Sequence, residues 1–113
     1  MGGVHLREFE ELVLLAVILT EGDASGVTIQ GVLDLEAGRD VSLGAIYTAL
    51  DRLARKGMVQ SWLGEPTPVR GGRRKRHYKL TASGLKRVAE ARRIRESLWA
   101  KIERAKASEE ATP

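Results

Sequence analysis

The side chains in this chain best equipped for chemistry are cationic, and they are crowded together. Arg70, Arg73, Arg74, Lys75, Arg76 and Lys79 lie between positions 70 and 80 with no carboxylate among them. Guanidinium and ammonium groups at that density hold polyanions, phosphate above all. A solvated loop is the ordinary fate of a charge run, but so many cations without a counter-charge fit it poorly. Upstream, the stretch Ser42–Lys56 carries Tyr47, Thr48, Asp51, Arg52 and Arg55 on one side of a helical repeat, with the small residues Gly44 and Ala45 in its first turn. Small residues let a backbone approach a partner closely. The chemistry this implies is recognition of a nucleic acid, in which base edges are read in a groove and phosphates fix the register. The candidates for groove contacts are Ser42, Gly44, Ala45, Tyr47 and Thr48. Those for phosphates are Thr28, Arg52, Arg70, Arg73, Arg74, Lys75 and Arg76. Tyr47 has a second reading as a hydroxyl at a helix interface, and Arg52 as the partner of a nearby carboxylate.

Covalent chemistry has no residue to start from. The chain lacks cysteine, which excludes disulfides, thiolate metal sites and a cysteine nucleophile. His5 and His77 stand at no metal-ligand spacing, Gly71-Gly72 lies inside a hairpin instead of opening a helix after a strand, and no serine occupies a nucleophile elbow. Neither an enzyme, a metal site nor a cofactor is expected.

The elements that must position these residues follow from periodicity. Phe9, Leu12, Val13, Leu15, Ala16 and Leu19 predict helix 1 over roughly residues 8–20. After the break at 21–26, with Asp23 or Ser25 as cap, Val27, Ile29, Val32, Leu33 and Leu35 predict helix 2 to about Ala37. A short turn at 38–41 leads to helix 3, which Ser42 caps and Gly57 ends, with Ile46, Ala49, Leu50 and Leu53 on its apolar face. The period then changes to alternation. Residues 58–63 and 73–80 predict two strands around a Pro- and Gly-rich tip, with Tyr78 and Leu80 available to the core.

Thr81 caps a last helix whose stripe is Val88, Ala91, Ile94, Leu98, Ile102 and Ala105, with Leu85 and Trp99 on its shoulder. Some 20 helical residues extend about 30 Å, further than so small a body can cover. That stripe is the candidate dimer interface. The expected fold is therefore mainly α with a small β-hairpin: a winged helix-turn-helix over 1–80, a dimerisation helix over 81–107 and a disordered tail over 108–113.

With 113 residues and 4% aromatics, one domain with an aliphatic core is the limit. The net charge of +4 hides an asymmetry: residues 1–41 hold two arginines against eight carboxylates, whereas 70–80 are purely basic. Such polarity places a polyanion on one side of the fold. No apolar run approaches the ~20 residues of a membrane span and no leader is evident, so a soluble cytoplasmic protein is expected.

Gly44-Ala45-Ile46-Tyr47-Thr48-Ala49-Leu50-Asp51-Arg52-Leu53 with Lys56-Gly57-Met58-Val59, followed by the basic run from Gly71 through Tyr78-Lys79-Leu80-Thr81 to Gly84, resembles the PadR family of bacterial transcription regulators. Ser25-Gly26-Val27-Thr28-Ile29 is similar to the start of that family's second helix, with Val27 in place of an aromatic, and Leu43 stands where the family commonly has Pro. The resemblance covers roughly residues 6–105. It implies a winged-helix homodimer that represses transcription from a palindromic operator, with Ser42, Tyr47 and Thr48 near the groove and Arg73, Arg74, Lys75 and Arg76 on phosphates. It also implies dimerisation through the C-terminal helix and, in some members, release by a small planar aromatic effector in a dimer pocket. Trp99 is the candidate for that pocket, its other reading being simple packing in the dimer seam. Two further classes fit the same residues: a winged-helix module whose basic wing meets an acidic protein, and a winged helix that binds RNA.

Overall fold

The computed structural model describes residues 6–66 and 74–111. Its elements run α1 (Glu8–Leu19), α2 (Gly26–Ala37), α3 (Leu43–Arg55), β1 (Val59–Leu63), β2 (Arg76–Leu80) and α4 (Ala82–Ala111). This is the mainly helical winged-helix architecture the patterning predicts. No helix among the described residues is long and apolar enough to cross a membrane.

Local chemistry sets the helix ends. Ser25, not Asp23, caps α2: its hydroxyl accepts from the Thr28 N–H while the Thr28 hydroxyl accepts from the Ser25 N–H at 2.8 Å. This reciprocal box satisfies donors that a helix start leaves open. Gly38 ends α2 in the left-handed region at φ 63°, and four residues later the Ser42 hydroxyl accepts from the Ala45 N–H at 3.1 Å to begin α3. Gly57, at φ 75°, stops that helix, with the Met58 N–H returning to the Leu53 carbonyl at 2.9 Å.

The core is aliphatic. Val13, Leu14 and Val17 of α1 meet Ile29 and Leu33 of α2 and Ile46, Leu50 and Leu53 of α3, while Met58, Val59, Tyr78 and Leu80 close it from the hairpin side and Val88 from α4. Each large aliphatic so buried contributes about 1.5–3 kcal/mol, as an upper estimate. Two expected faces are corrected here. On α1, Leu15 and Leu19 are exposed and Leu14 and Val17 take their place, because residues 12–19 are apolar all round the helix and periodicity cannot choose a side. On α2, Leu35 is 82% exposed, since it sits about 200° round from Leu33 at about 100° per residue.

The hairpin pairs Val59 with Leu80, Ser61 with Tyr78 and Leu63 with Arg76, and Trp62 stacks on His77 on the opposite face. Both strands are shorter than predicted: Met58 is buried before β1 begins, and Arg74 and Lys75 precede β2 without strand geometry. Tyr78 ties β2 to the α1–α2 turn by donating its N–H to the Ala24 carbonyl at 3.0 Å.

The last helix also departs from expectation. It continues through Ser108, Glu109 and Glu110 to Ala111 in place of a disordered tail, because no helix breaker stands before Pro113. Every residue from Arg92 to Glu110 is exposed. The radius of gyration of 18.0 Å, against about 13 Å for a compact chain of this length, reflects that projecting arm. At its root the Thr81 hydroxyl donates to the Gly57 carbonyl at 2.6 Å and accepts from the Gly84 N–H at 3.0 Å. A Cβ on Gly84 would lie 2.1 Å from the Met58 carbonyl oxygen. Backbone cannot yield as a side-chain tip can, so Gly84→Ala is expected to destabilise the fold by about 2 kcal/mol or more, seen as a fall in Tm of roughly 8 °C or more. An unchanged Tm in thermal melts would refute this close approach.

Candidate nucleic-acid interface

Strand alternation carries Ser61, Leu63, Tyr78 and Arg76 to the same face of the hairpin as the buried Val59 and Leu80, and beyond the core that face looks toward α3. Between them lies a groove of about 910 Å³, lined by Ser25 and Gly26 of the α2 start, by Tyr47, Thr48 and Asp51 of α3, by Ser61, Leu63 and Tyr78, and by Arg74, Lys75 and Arg76. Arg76 is oriented by a 3.0 Å hydrogen bond to the Ser61 hydroxyl. Burial pushes the Tyr78 phenol up from its ordinary value against the pull of Arg76, with Tyr47 and Asp51 adding to the rise. Its hydroxyl is thus a neutral donor at the groove floor. Asp51 pairs with Arg55 at 2.9 Å on the exposed helix surface.

The structure therefore brings Tyr47 and Thr48 together with Arg74, Lys75 and Arg76. Ser42, Gly44 and Ala45 are exposed on the first turn of α3, outside the groove lining, and Arg52 is exposed farther along that helix. Thr28 is committed elsewhere: its hydroxyl donates to the Asp23 carbonyl at 2.7 Å within the α2 cap. Arg70 and Arg73 lie outside the described residues. Sequence reasoning missed Ser61, Leu63 and Gly26. The first two were available from alternation counted from Val59, whereas Gly26 stood out only within the family-like stretch 25–29, which does not place it at a groove.

Of the C-terminal stripe, Val88 is buried and Ala91 half-buried, while Ile94, Leu98, Ile102 and Ala105 are exposed, as is the neighbouring Trp99. Among the described residues no group of His, Cys, Asp or Glu could hold a metal ion.

The site is held in place from behind by the first turn of α1. Glu8 pairs with Arg39 of the α2–α3 turn at 2.6 Å, Glu10 with Lys56 at the end of α3 at 2.7 Å, and Glu11 with Arg95 of α4. Glu10, at 2% exposure, is the most deeply buried of the three. Burial raises its pKa, but the hydrogen bonds from Lys56 and from the Arg7 N–H, with the Lys56 charge, outweigh this and hold the carboxyl below its ordinary value.

A helix-turn-helix pair followed by a basic two-stranded wing defines a winged-helix protein. Residues 14–90 match the transcriptional regulator PadR-like family, and the chain belongs to that family. Its members regulate transcription, so the chain is a regulator and not an enzyme. Among solved structures, a Streptococcus transcriptional regulator is 26% identical, with a TM-score of 0.65 over 87% of this chain and 91% of the other. A transcriptional regulator from Clostridium thermocellum is 24% identical, with a TM-score of 0.66 over 84% of this chain and 86% of its own. Bacillus subtilis PadR in complex with operator DNA is 23% identical, with a TM-score of 0.62 over 74% of this chain and 47% of its own. The last two bear on the fold alone. No curated protein matches the chain.

A carboxyl whose folded pKa is depressed contributes stability that is complete above its unfolded pKa and lost as pH falls through the folded value. Stability should therefore decline below about pH 4.3, the unfolded glutamate pKa, and Glu10→Gln should flatten that acid limb. Equal slopes for the two proteins in urea melts between pH 3 and 5 would exclude Glu10 as a contributor.

Proposed function

We propose that this chain is a dimeric repressor that binds a palindromic duplex operator through α3 and the wing. In this reading α4 is the dimer clamp, and release follows when a small planar aromatic molecule enters the dimer seam beside Trp99. The observation that carries the proposal is the shared groove, in which the outward residues Tyr47 and Thr48 of α3 face three wing cations. Hydrogen-bonding groups on a helix suit base edges, and flanking arginines and lysines suit the phosphates on either side. The operator complex of the Bacillus subtilis relative supports duplex DNA as the ligand. The exposed Ile94, Leu98 and Ile102 support a second copy as the cover for α4.

The test is an anisotropy titration against the duplex upstream of the protein's own gene, at near-physiological salt, with random duplex as competitor. Binding that survives a large excess of competitor is expected; loss of all preference would overturn sequence-specific repression. Replacing Arg74, Lys75 and Arg76 together by Ala should weaken binding to every duplex and reduce the salt slope by about one unit per lost phosphate contact. An unchanged slope would remove the wing from the backbone. Leu98→Glu with Ile102→Glu should yield a monomer in sedimentation and weaken operator binding. Planar aromatic cations that release the operator should also shift Trp99 emission. A variant that stays dimeric, or emission unmoved during release, would sink the corresponding role.

A further inference from the structure

Gly26 is the first residue of α2, and it is buried beneath a side chain from a different helix. A Cβ built on it would lie 2.5 Å from the Tyr47 hydroxyl oxygen, 2.6 Å from Cζ and 2.7 Å from Cε1. Real Cβ atoms do not come that near, so the phenol of α3 rests directly on the bare backbone of α2. The glycine is there for space: the described glycines with positive φ are Gly22, Gly38 and Gly57, and a helical start at residue 26 asks for no special backbone freedom. Gly44, by contrast, has no side-chain or remote backbone atom nearer than 3.9 Å to its Cβ position. The tight fit belongs to residue 26 alone among the two helix starts of this pair.

We infer that Gly26 is a specificity-determining position that acts through Tyr47. The inference rests on the duplex-binding reading above. Tyr47 is 46% exposed, with one side of its ring against α2 and the rest open to the groove that also holds Thr48 and Asp51. A ring seated on one side presents a fixed edge and a fixed hydroxyl, and fixed hydrogen-bonding geometry is what discriminates one base pair from another. The atoms that would collide with a Cβ are the far end of the tyrosine side chain. Rotation about the tyrosine side-chain torsions relieves that collision without moving either backbone. A methyl group at position 26 therefore swings the phenol into the groove and changes what the groove accepts, although residue 26 itself reads no base.

The experiment combines a ligand-free and a ligand-bound reading on the full chain. Ring resonances of Tyr47 are followed by NMR in the wild type and in Gly26→Ala, and both proteins are used to enrich sequences from a pool of fully randomised duplexes. Gly26→Ala is expected to keep the wild-type circular dichroism, to shift the Tyr47 ring resonances, and to lose about tenfold in discrimination between the wild-type-selected duplex and random duplex. In a Tyr47→Ala background the same change has nothing to displace. There it should alter affinity by less than about twofold, the limit for independent sites. Wild-type preference in Gly26→Ala, or an equal effect in the Tyr47→Ala background, would overturn the inference. So would ring resonances that do not move. If the wild type enriches no duplex, the duplex-binding reading fails and the specificity role fails with it. The ring resonances, measured without DNA, report separately whether Gly26 seats Tyr47.

Discussion

Three carboxylates in one helical turn organise this fold. Glu8, Glu10 and Glu11 each bind a cation from a different element, and the sequence separations of these pairs are 31, 46 and 84 residues. The buried pair of Glu10 with Lys56 matters most, because a carboxylate at 2% exposure is tolerable only with its partner in place. Losing one member of such a pair leaves a charge without solvent or counter-ion. The outer two are exposed on at least one side and are individually weak. Their role is directional: they set where the α2–α3 turn and the C-terminal helix lie once the apolar core has formed.

The second constraint is the crossing of α3's exit with α4's entry. Gly57, Met58, Thr81 and Gly84 form a compact junction in which a hydroxyl bridges a carbonyl on one side and an amide on the other. The hairpin leaves and returns through this point, so its strands emerge in register and its inner face is aimed along α3. The wing cations sit opposite Tyr47 and Thr48 because both ends of the hairpin are anchored, and the Ser61 hydroxyl holds Arg76 in addition.

What was legible in the sequence was local. Caps at Ser25, Ser42 and Thr81, the left-handed stop at Gly57 and the amphipathic pattern of α3 all act within a few residues of themselves, and the order of elements followed from them. The winged-helix class followed in turn, as did the grouping of α3's outer residues with the basic wing. The rest depends on contacts between distant positions. Glu10 and Glu11 read as part of an acidic opening, and nothing near them announces that Lys56 and Arg95 will neutralise them. Leu14 and Val17 replaced Leu15 and Leu19 in the core because residues 12–19 of α1 are apolar on every side. Gly26 and Gly84 look like ordinary helix-start glycines until Tyr47 and the Met58 carbonyl are placed against them.

The turn that carries Glu8, Glu10 and Glu11 has a consequence for association. A rigid body is located by three points that do not share a line, and this turn touches the helix-turn-helix connection, the end of the groove-facing helix and the projecting arm. Together with the core, those contacts order the three elements relative to one another during folding. The conformational entropy lost in aligning them is then lost before any partner arrives, and docking a rigid ligand need not include it again.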